Sequence, residues 1–375
     1  MEKIKYFDMF SGIGGFKLAL DRAGFESIGF CEIDPDSRNL YKAFFNTEGE
    51  FESYDATKLN PDSIPDFDIL VAGFPCQAFS IAGKRRGFTD TRGTLFFDIV
   101  RVLSVKKPRY LILENVKGLL NHNHGETFST IIKILTDLGY RVEWQVLNSK
   151  FFGVPQNRER VFIVGCLGNK CSGKIFPIES IGTQNPCKIR RITKGNSQGN
   201  RIYLVDGISS CLTSQGGGHG GKTGLYFINK PRYDRYKISD TVQTLKVAGD
   251  IPLMRINNGT RKGFETAEIG DGINLAYPNS KTRRGRVGKQ VSQTLDTHCN
   301  MGTIAETSDG YRIRRLTPLE CFRLQGFPDE MISKAKELKL CDNKLYKMAG
   351  NAVTVQVVEA VATKLMTAIK GSENA

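Results

Sequence analysis

The chain has 375 residues, 40% of them apolar and 25% charged, which excludes a disordered or fibrous protein and suits one large domain or a large plus a small one. No run approaches the ~18–20 uninterrupted apolar residues of a membrane span, and the first ten residues lack the apolar stretch of a secretory leader. The feature that calls for explanation is a net charge of +14, from 53 basic and 39 acidic side chains.

In chain order, residues 3–10 alternate as a short strand and run into a glycine loop at 11–15. Residues 16–23 form a helix closed by Gly24, in the position glycine takes after a helix. Residues 27–31 are a second strand, with a helix beginning after Pro35. A third strand ends near Asp55. The apolar run Ile69, Leu70, Val71, Ala72 reads as a buried parallel strand. A helix over 94–104 and a strand over 110–113 follow. The next helix spans 126–138, with Phe128, Ile131, Ile132 and Leu135 on one face, and the last two strands cover 142–147 and 160–164. Strands alternating with helices predict an α/β fold with a doubly wound sheet, whose ligands bind beyond the carboxyl ends of the strands.

Those strand ends carry the candidate chemistry. The loop FSGIGGF at 10–16 allows close backbone approach, but the dinucleotide pattern GxGxxG fails because Lys17 follows where its third glycine belongs. Glu32, about 20 residues on, can take ribose hydroxyls, and Asp55 can accept from an exocyclic amine. Two acids without a nearby Arg or Lys suit an adenosine with a non-phosphate tail better than a diphosphate. Cys76 follows Pro75 at the end of the fourth strand, Glu114 ends the fifth, and QNRER at 156–160 leads into the last, so a thiol, a carboxyl and two guanidiniums would meet on one rim. Arginine can stabilise a thiolate or hold a carbonyl oxygen. The nine cysteines show no CxxC pair and no zinc-like spacing, and the four histidines show no ligand pattern. Neither a disulfide framework nor a metal is therefore expected.

The charge is unevenly placed. Residues 1–180 carry a net +1, residues 181–310 a net +9 with 19 of the 39 glycines, and residues 311–375 a net +4. A neutral first half and a basic, glycine-rich insert suggest two tasks, the second involving a polyanion.

The segments FSGIGGF (10–16), PCQ (75–77), ENV (114–116), QNRER (156–160), RLTPLECFRLQGFP (315–328) and GNAV (350–353) resemble, in order, the motifs of DNA (cytosine-5) methyltransferases. GKRRGF (83–88) and RGTLFFD (92–98) look like the bacterial HhaI-type members. The resemblance covers about 1–167 and 311–370. It implies a Rossmann-like S-adenosylmethionine-dependent catalytic domain at 1–180 and 330–375, and a smaller target-recognition domain with hinge at 181–329. It further implies a DNA (cytosine-5-)-methyltransferase, in which Cys76 adds to C6 of cytosine so that C5 becomes nucleophilic. Glu114 would engage N3 and the exocyclic amine. Arg160, helped by Arg158, would hold the O2 side. With no further acid or His at hand, bound water or hydroxide is the default acceptor of the C5 proton.

The implied cofactor is S-adenosyl-L-methionine, with S-adenosyl-L-homocysteine as product. Its implied site comprises Phe10, Gly12, Gly14, Phe16 against adenine, Glu32 on ribose, Ile33, Asp55, Ala56, Gly73, Pro75, Leu95, Asn351 at the start of the C-terminal helix, and Val353. Ile33 stands where some members carry an aromatic residue. A cytosine inside a duplex must be flipped out to reach Cys76. Lys84, Arg85 and Arg86 would close a loop over the DNA backbone, and Arg283, Arg284 and Arg286 would contact phosphate or guanine. Thr317 and Glu320 read as a helix-capping hinge. The expected partner is double-stranded DNA, with a cognate restriction endonuclease acting separately, no membrane, a monomeric state and a cytoplasmic location. The alternatives are a tRNA cytosine-5 methyltransferase and a catalytically silent DNA-binding relative.

Overall fold

The structure is a computed structural model that describes residues 3–75, 95–168, 174–179, 244–245, 253–276, 282, 284–307 and 310–373. Cys76, Lys84, Arg85, Arg86 and Arg283 lie outside the described residues, as does most of the glycine-rich insert. The chain divides into two compact units, one of Met1–Asn148, Glu159–Ser180 and Ala352–Ala375, the other of Ser149–Arg158 and Ile181–Asn351. The sequence had grouped 149–158 and 330–351 with the catalytic part; by packing they group with the second unit.

In the first unit the sheet contains β1 (Lys5–Met9), β2 (Glu26–Cys31), β3 (Phe51–Ser53), β4 (Ile69–Gly73), β5 (Tyr110–Val116), β6 (Tyr140–Asn148) and β8 (Glu159–Leu167). Its order is β3-β2-β1-β4-β5-β8-β6. β1 to β5 are all parallel, whereas β8 pairs antiparallel with β5 on one side and β6 on the other. The connection from β6 to β8 is short and carries no crossover helix, so the chain re-enters the sheet in reverse.

The helices α1 (Gly15–Arg22), α2 (Pro35–Phe44), α3 (Leu95–Lys106), α4 (Glu126–Asp137) and α8 (Val355–Glu373) complete this unit. Their ends follow local chemistry: Asp34 caps α2 by accepting from the Asp36 N–H, and Gly24 takes the left-handed φ of 89° that a side chain would resist. Leu70, Ala72, Leu111, Leu113, Val161 and Ile163 of the sheet share a core with Phe96, Ile99 and Leu103 of α3 and Ile131 and Leu135 of α4. The segment 342–371, most of it α8, is apolar and long enough to cross a membrane, but half of its apolar 18-residue window is buried inside the fold. Val357, Val358, Val361, Ala362 and Leu365 supply that buried face, and α8 packs on α1.

In the second unit, β9 (Thr244–Leu245), β10 (Leu253–Asn257) and β11 (Phe264–Ala267) form an antiparallel sheet. A second sheet has the order β13-β12-β15-β16, from β12 (Gly272–Asn274), β13 (Val287–Gly288), β15 (Met301–Thr307) and β16 (Gly310–Arg315). The short strands β7 (Gln156–Asn157) and β14 (Ser292–Gln293) pair parallel. Helices α5 (Pro318–Leu324), α6 (Asp329–Glu337) and α7 (Asp342–Asn351) follow. The expected capping box at α5 is present: the Glu320 N–H donates to Thr317 Oγ1, and the Thr317 N–H to Glu320 Oε2. Of the described cysteines, Cys31, Cys299, Cys321 and Cys341 are free thiols and Cys166 is disulfide-bonded.

Candidate active site

The site is built where parallel strands end and one antiparallel strand begins. Gly73, the last residue of β4, pairs in register with Glu114 of β5. Arg160, near the start of β8, stands opposite Val116, so it is the diagonal neighbour of Glu114 on the same face of the sheet. Its Nε lies 3.0 Å from Glu114 Oε1, with the two side chains 15% and 10% exposed. Reversal of β8 is what brings an arginine from a strand's beginning to the rim of the others' carboxyl ends.

Asn115 ties this rim together. It is 2% exposed, its Nδ2 donates to the Phe74 carbonyl at 2.8 Å, and its Oδ1 accepts from the Val116 N–H. The end of β5 is thereby fixed to Phe74, two residues before Cys76 in the sequence. The sequence carried this residue within the ENV motif without assigning it a task; an uncharged amide at a buried strand end was the available signal. Farther out, Lys117 pairs with Glu159 at 2.9 Å.

Beside the rim lies a glycine-lined cradle. Phe10 and Gly12 both have left-handed backbones (φ 64° and 56°), and nothing stands within 4 Å of where a Cβ on Gly12 would sit. Gly14, at φ 85°, begins α1 under Phe45 and Tyr41, where any Cβ would collide. Glu32 Oε2 accepts from the Gly12 N–H and Oε1 from the Asp34 N–H, each at 2.7 Å. Burial pushes the Glu32 carboxyl above the usual range, although these N–H bonds pull the other way. Each oxygen keeps acceptor capacity for a hydroxyl. Ile33 is 67% exposed at the lip, and Ala56 is buried. A Cβ on Gly73 would meet Glu114 Oε2, Val353 Cγ1 and Phe16 Cε2 at 3.5, 3.6 and 3.7 Å, so these four residues surround one point.

Asp55 Oδ1 accepts from both the backbone and the hydroxyl of Thr57, which hold its carboxyl below the usual range, and Oδ2 faces Lys58 at 3.3 Å. Leu95 opens α3, half-buried, and Pro75 is exposed. Asn351 is exposed and ends α7 instead of starting the C-terminal helix; it belongs to the second unit, and Val353 to the first.

Two of the expected arginines are buried. Arg158 is 2% exposed in the second unit, and its guanidinium donates to the carbonyls of Leu295 and Gly350 at 3.2 and 3.1 Å. Those bonds hold backbone in place, unlike the base contact expected of it. Arg286, expected to touch DNA, is 4% exposed and donates to the carbonyls of Asn257 and Asn274, clasping β10 to β12. Arg284 is exposed. Sequence reads charge and spacing, not which cations the fold spends internally. Asp8, in the middle of β1, was not singled out. It is fully buried, neither oxygen has a hydrogen-bond partner among the described residues, and desolvation pushes its carboxyl well above the usual range.

The family model for C-5 cytosine-specific DNA methylase matches residues 4–367. The chain is 33% identical to the type II methyltransferase M.BanI of Aneurinibacillus aneurinilyticus over 427 residues, covering 97% of this chain and 96% of that one. It is 31% identical to the orphan methyltransferase M.Rho11sI of Bacillus phage rho11s over 495 residues, covering 98% of each. Among solved structures it superposes on a putative DNA modification methyltransferase encoded within an E. coli prophage with a TM-score of 0.61, at 18% identity, covering 98% of this chain and all of that one. The S. pombe Dnmt2 methyltransferase matches with a TM-score of 0.55 at 17% identity, covering the whole of both chains. At these identities the structural matches speak for the fold alone.

Proposed function

Because the chain belongs to the family of C-5 cytosine-specific DNA methylases, we propose that it methylates C5 of a cytosine within a specific duplex DNA sequence, with S-adenosyl-L-methionine as donor. The observation that supports this best is the Glu114–Arg160 pair on the rim where β4 leads into Pro75 and Cys76.

The cradle fits that donor. Gly12 leaves room for a ligand against the backbone, Glu32 retains acceptor capacity for a diol, and the acids suit a cationic tail better than a diphosphate. Phe10, Gly12, Gly14, Phe16, Glu32, Ile33, Asp55, Ala56, Gly73 and Val353 would hold it, and when bound it supplies the electrophilic methyl group.

The chain's own residues perform the activation. Cytosine C5 is a weak nucleophile; addition of the Cys76 thiolate to C6 makes it an enamine carbon. Glu114 binds the N3 and amine edge of the flipped base. The Arg160 guanidinium holds O2 and stabilises the negative charge that builds on the ring. The ion pair between these side chains keeps both oriented before the base arrives. Asn115 holds the Phe74 carbonyl, two residues before Cys76 in the sequence. After methyl transfer, water takes the C5 proton and the thiolate leaves. Arg158 serves by position, holding Leu295 and Gly350 in the second unit.

The enzyme would act in the cytoplasm on duplex DNA, as an orphan modifier or beside a separate restriction endonuclease. The test is incubation with duplex DNA and methyl-labelled donor, followed by base-resolution mapping. Label on C5 of cytosine at one recurring sequence is the expected result. Label on tRNA alone, or on nothing, overturns the reading.

A further inference from the structure

The second unit contains a cleft of about 780 Å³ that the chemistry above does not use. Its walls include His298 and Asn300 from the loop before β15, Arg315 at the end of β16, and Asn343, Tyr346 and Lys347 from α7. Asn343 and Lys347 are four apart on one helix and therefore share a face.

Arg315 is fixed from several sides. Its Nε donates to the Cys299 carbonyl at 3.0 Å, its Nη2 donates to the His298 carbonyl, and its guanidinium lies over the Tyr346 ring at 4.0 Å. Tyr346 is itself anchored by donating its hydroxyl to the Leu316 carbonyl at 2.8 Å. All these partners are neutral, and no carboxylate pairs with Arg315 among the described residues. Its chain neighbour Arg314 is the opposite case, held in a two-pronged ion pair with the fully buried Glu320 at 2.6 and 2.9 Å. Asp296, the acid in the same loop, turns its carboxylate to the backbone N–H groups of His298 and Asn300 and to the Asn300 amide. The fold thus neutralises one arginine and presents the next, immobilised and still cationic, to an open cleft beside the exposed Lys347.

That arrangement is built for an anion, since a rigid guanidinium fork matches phosphate oxygens with little entropy left to lose. The cleft's size lies in the range of ligand sites and exceeds what a lone ion needs, which favours a segment of sugar-phosphate backbone. Ala276, on its wall, is the last described residue before the basic stretch that includes Arg284. We propose that this cleft takes a backbone phosphodiester of the DNA duplex, with Arg315 and Lys347 as cationic contacts and Asn300 and Asn343 as amide donors. The inference rests on the DNA-methylating reading and adds a site outside the catalytic rim. Phosphate carries no sequence information, so the contact strengthens binding to every duplex alike.

The test is fluorescence anisotropy of the full chain on a labelled duplex across a salt series, with Lys347→Gln and Arg315→Gln beside the wild type. Two unrelated duplex sequences are used, and melting temperatures are recorded. Each substitution is expected to weaken binding roughly threefold on both sequences at moderate salt and to reduce the slope of log K against log salt by about 0.9. Lys347 is exposed, so Lys347→Gln decides the matter if Arg315→Gln fails to fold. A Lys347→Gln protein with wild-type slope and affinity overturns the proposal, as does a loss confined to one sequence. Wild-type protein that methylates duplex while the variants bind unchanged sinks this site alone; wild-type protein that binds no duplex sinks both readings.

Discussion

Replacing Arg158 and Arg160 separately by alanine distinguishes two guanidiniums that are two residues apart and carry the same charge. Arg158 is 2% exposed and donates to two backbone carbonyls at 3.1 and 3.2 Å. Charge-assisted bonds contribute about 1.5–3 kcal/mol each, and these are long, so about 3 kcal/mol is lost from the pair. The cavity left by the side chain adds to that, giving about 3–5 kcal/mol. Against a total stability of about 5–15 kcal/mol this is severe, and the transition that includes the second unit should fall by at least about 6 °C. Arg160 is partly exposed and its ion pair is with Glu114. Its loss should cost about 1–2 kcal/mol of stability but about 10²–10³ in turnover, the magnitude of one lost donor to developing charge. Differential scanning fluorimetry and single-turnover methyl transfer read the two quantities independently. An Arg158→Ala protein that melts like the wild type yet has lost turnover would refute the assignment of Arg158 to position. An Arg160→Ala protein with near wild-type turnover would remove Arg160 from the chemistry.

The other predictions concern the nucleophile, the cradle and the buried acid. Cys76→Ser should abolish methyl transfer while leaving duplex affinity within about twofold; retained turnover would show that another group attacks C6. Gly14→Ala forces a Cβ to 2.3 Å from Phe45 Cε2 at a φ of 85° and should cost about 1–3 kcal/mol. Gly73→Ala meets only ordinary contacts of 3.5–3.7 Å and should melt like the wild type while binding S-adenosylmethionine more weakly. Calorimetry that finds its donor affinity unchanged would move the donor away from Gly73. For Asp8, burial raises the folded-state pKa above the unfolded value near ~3.9. The folded protein therefore retains a proton that the unfolded chain gives up, and Asp8 costs stability increasingly as pH rises above about 4. Asp8→Asn removes that pH-dependent cost, so its gain in melting temperature should be larger at pH 8 than at pH 5; an equal gain at both would contradict a protonated buried Asp8.

The amino-acid sequence determined the elements and their chemistry because both are written locally. The apolar run Ile69–Gly73 is a strand wherever it is placed in a parallel sheet, Thr317 and Glu320 cap their own helix, and the order of short motifs announces the family. Tertiary structure decided what local patterns cannot carry. Only the reversal of β8 explains why Arg160, at the beginning of a strand, pairs with Glu114 near the end of another. Only packing distinguishes Arg158 and Arg286, spent on backbone carbonyls, from Arg160 and Arg315, which face an acid and an open cleft. A side chain's charge is fixed by its covalent structure, but its availability depends on which carbonyls and carboxylates the fold brings within hydrogen-bonding distance. The +14 of the sequence is therefore a count of cations, and the three-dimensional structure decides which of them remain to meet a polyanion.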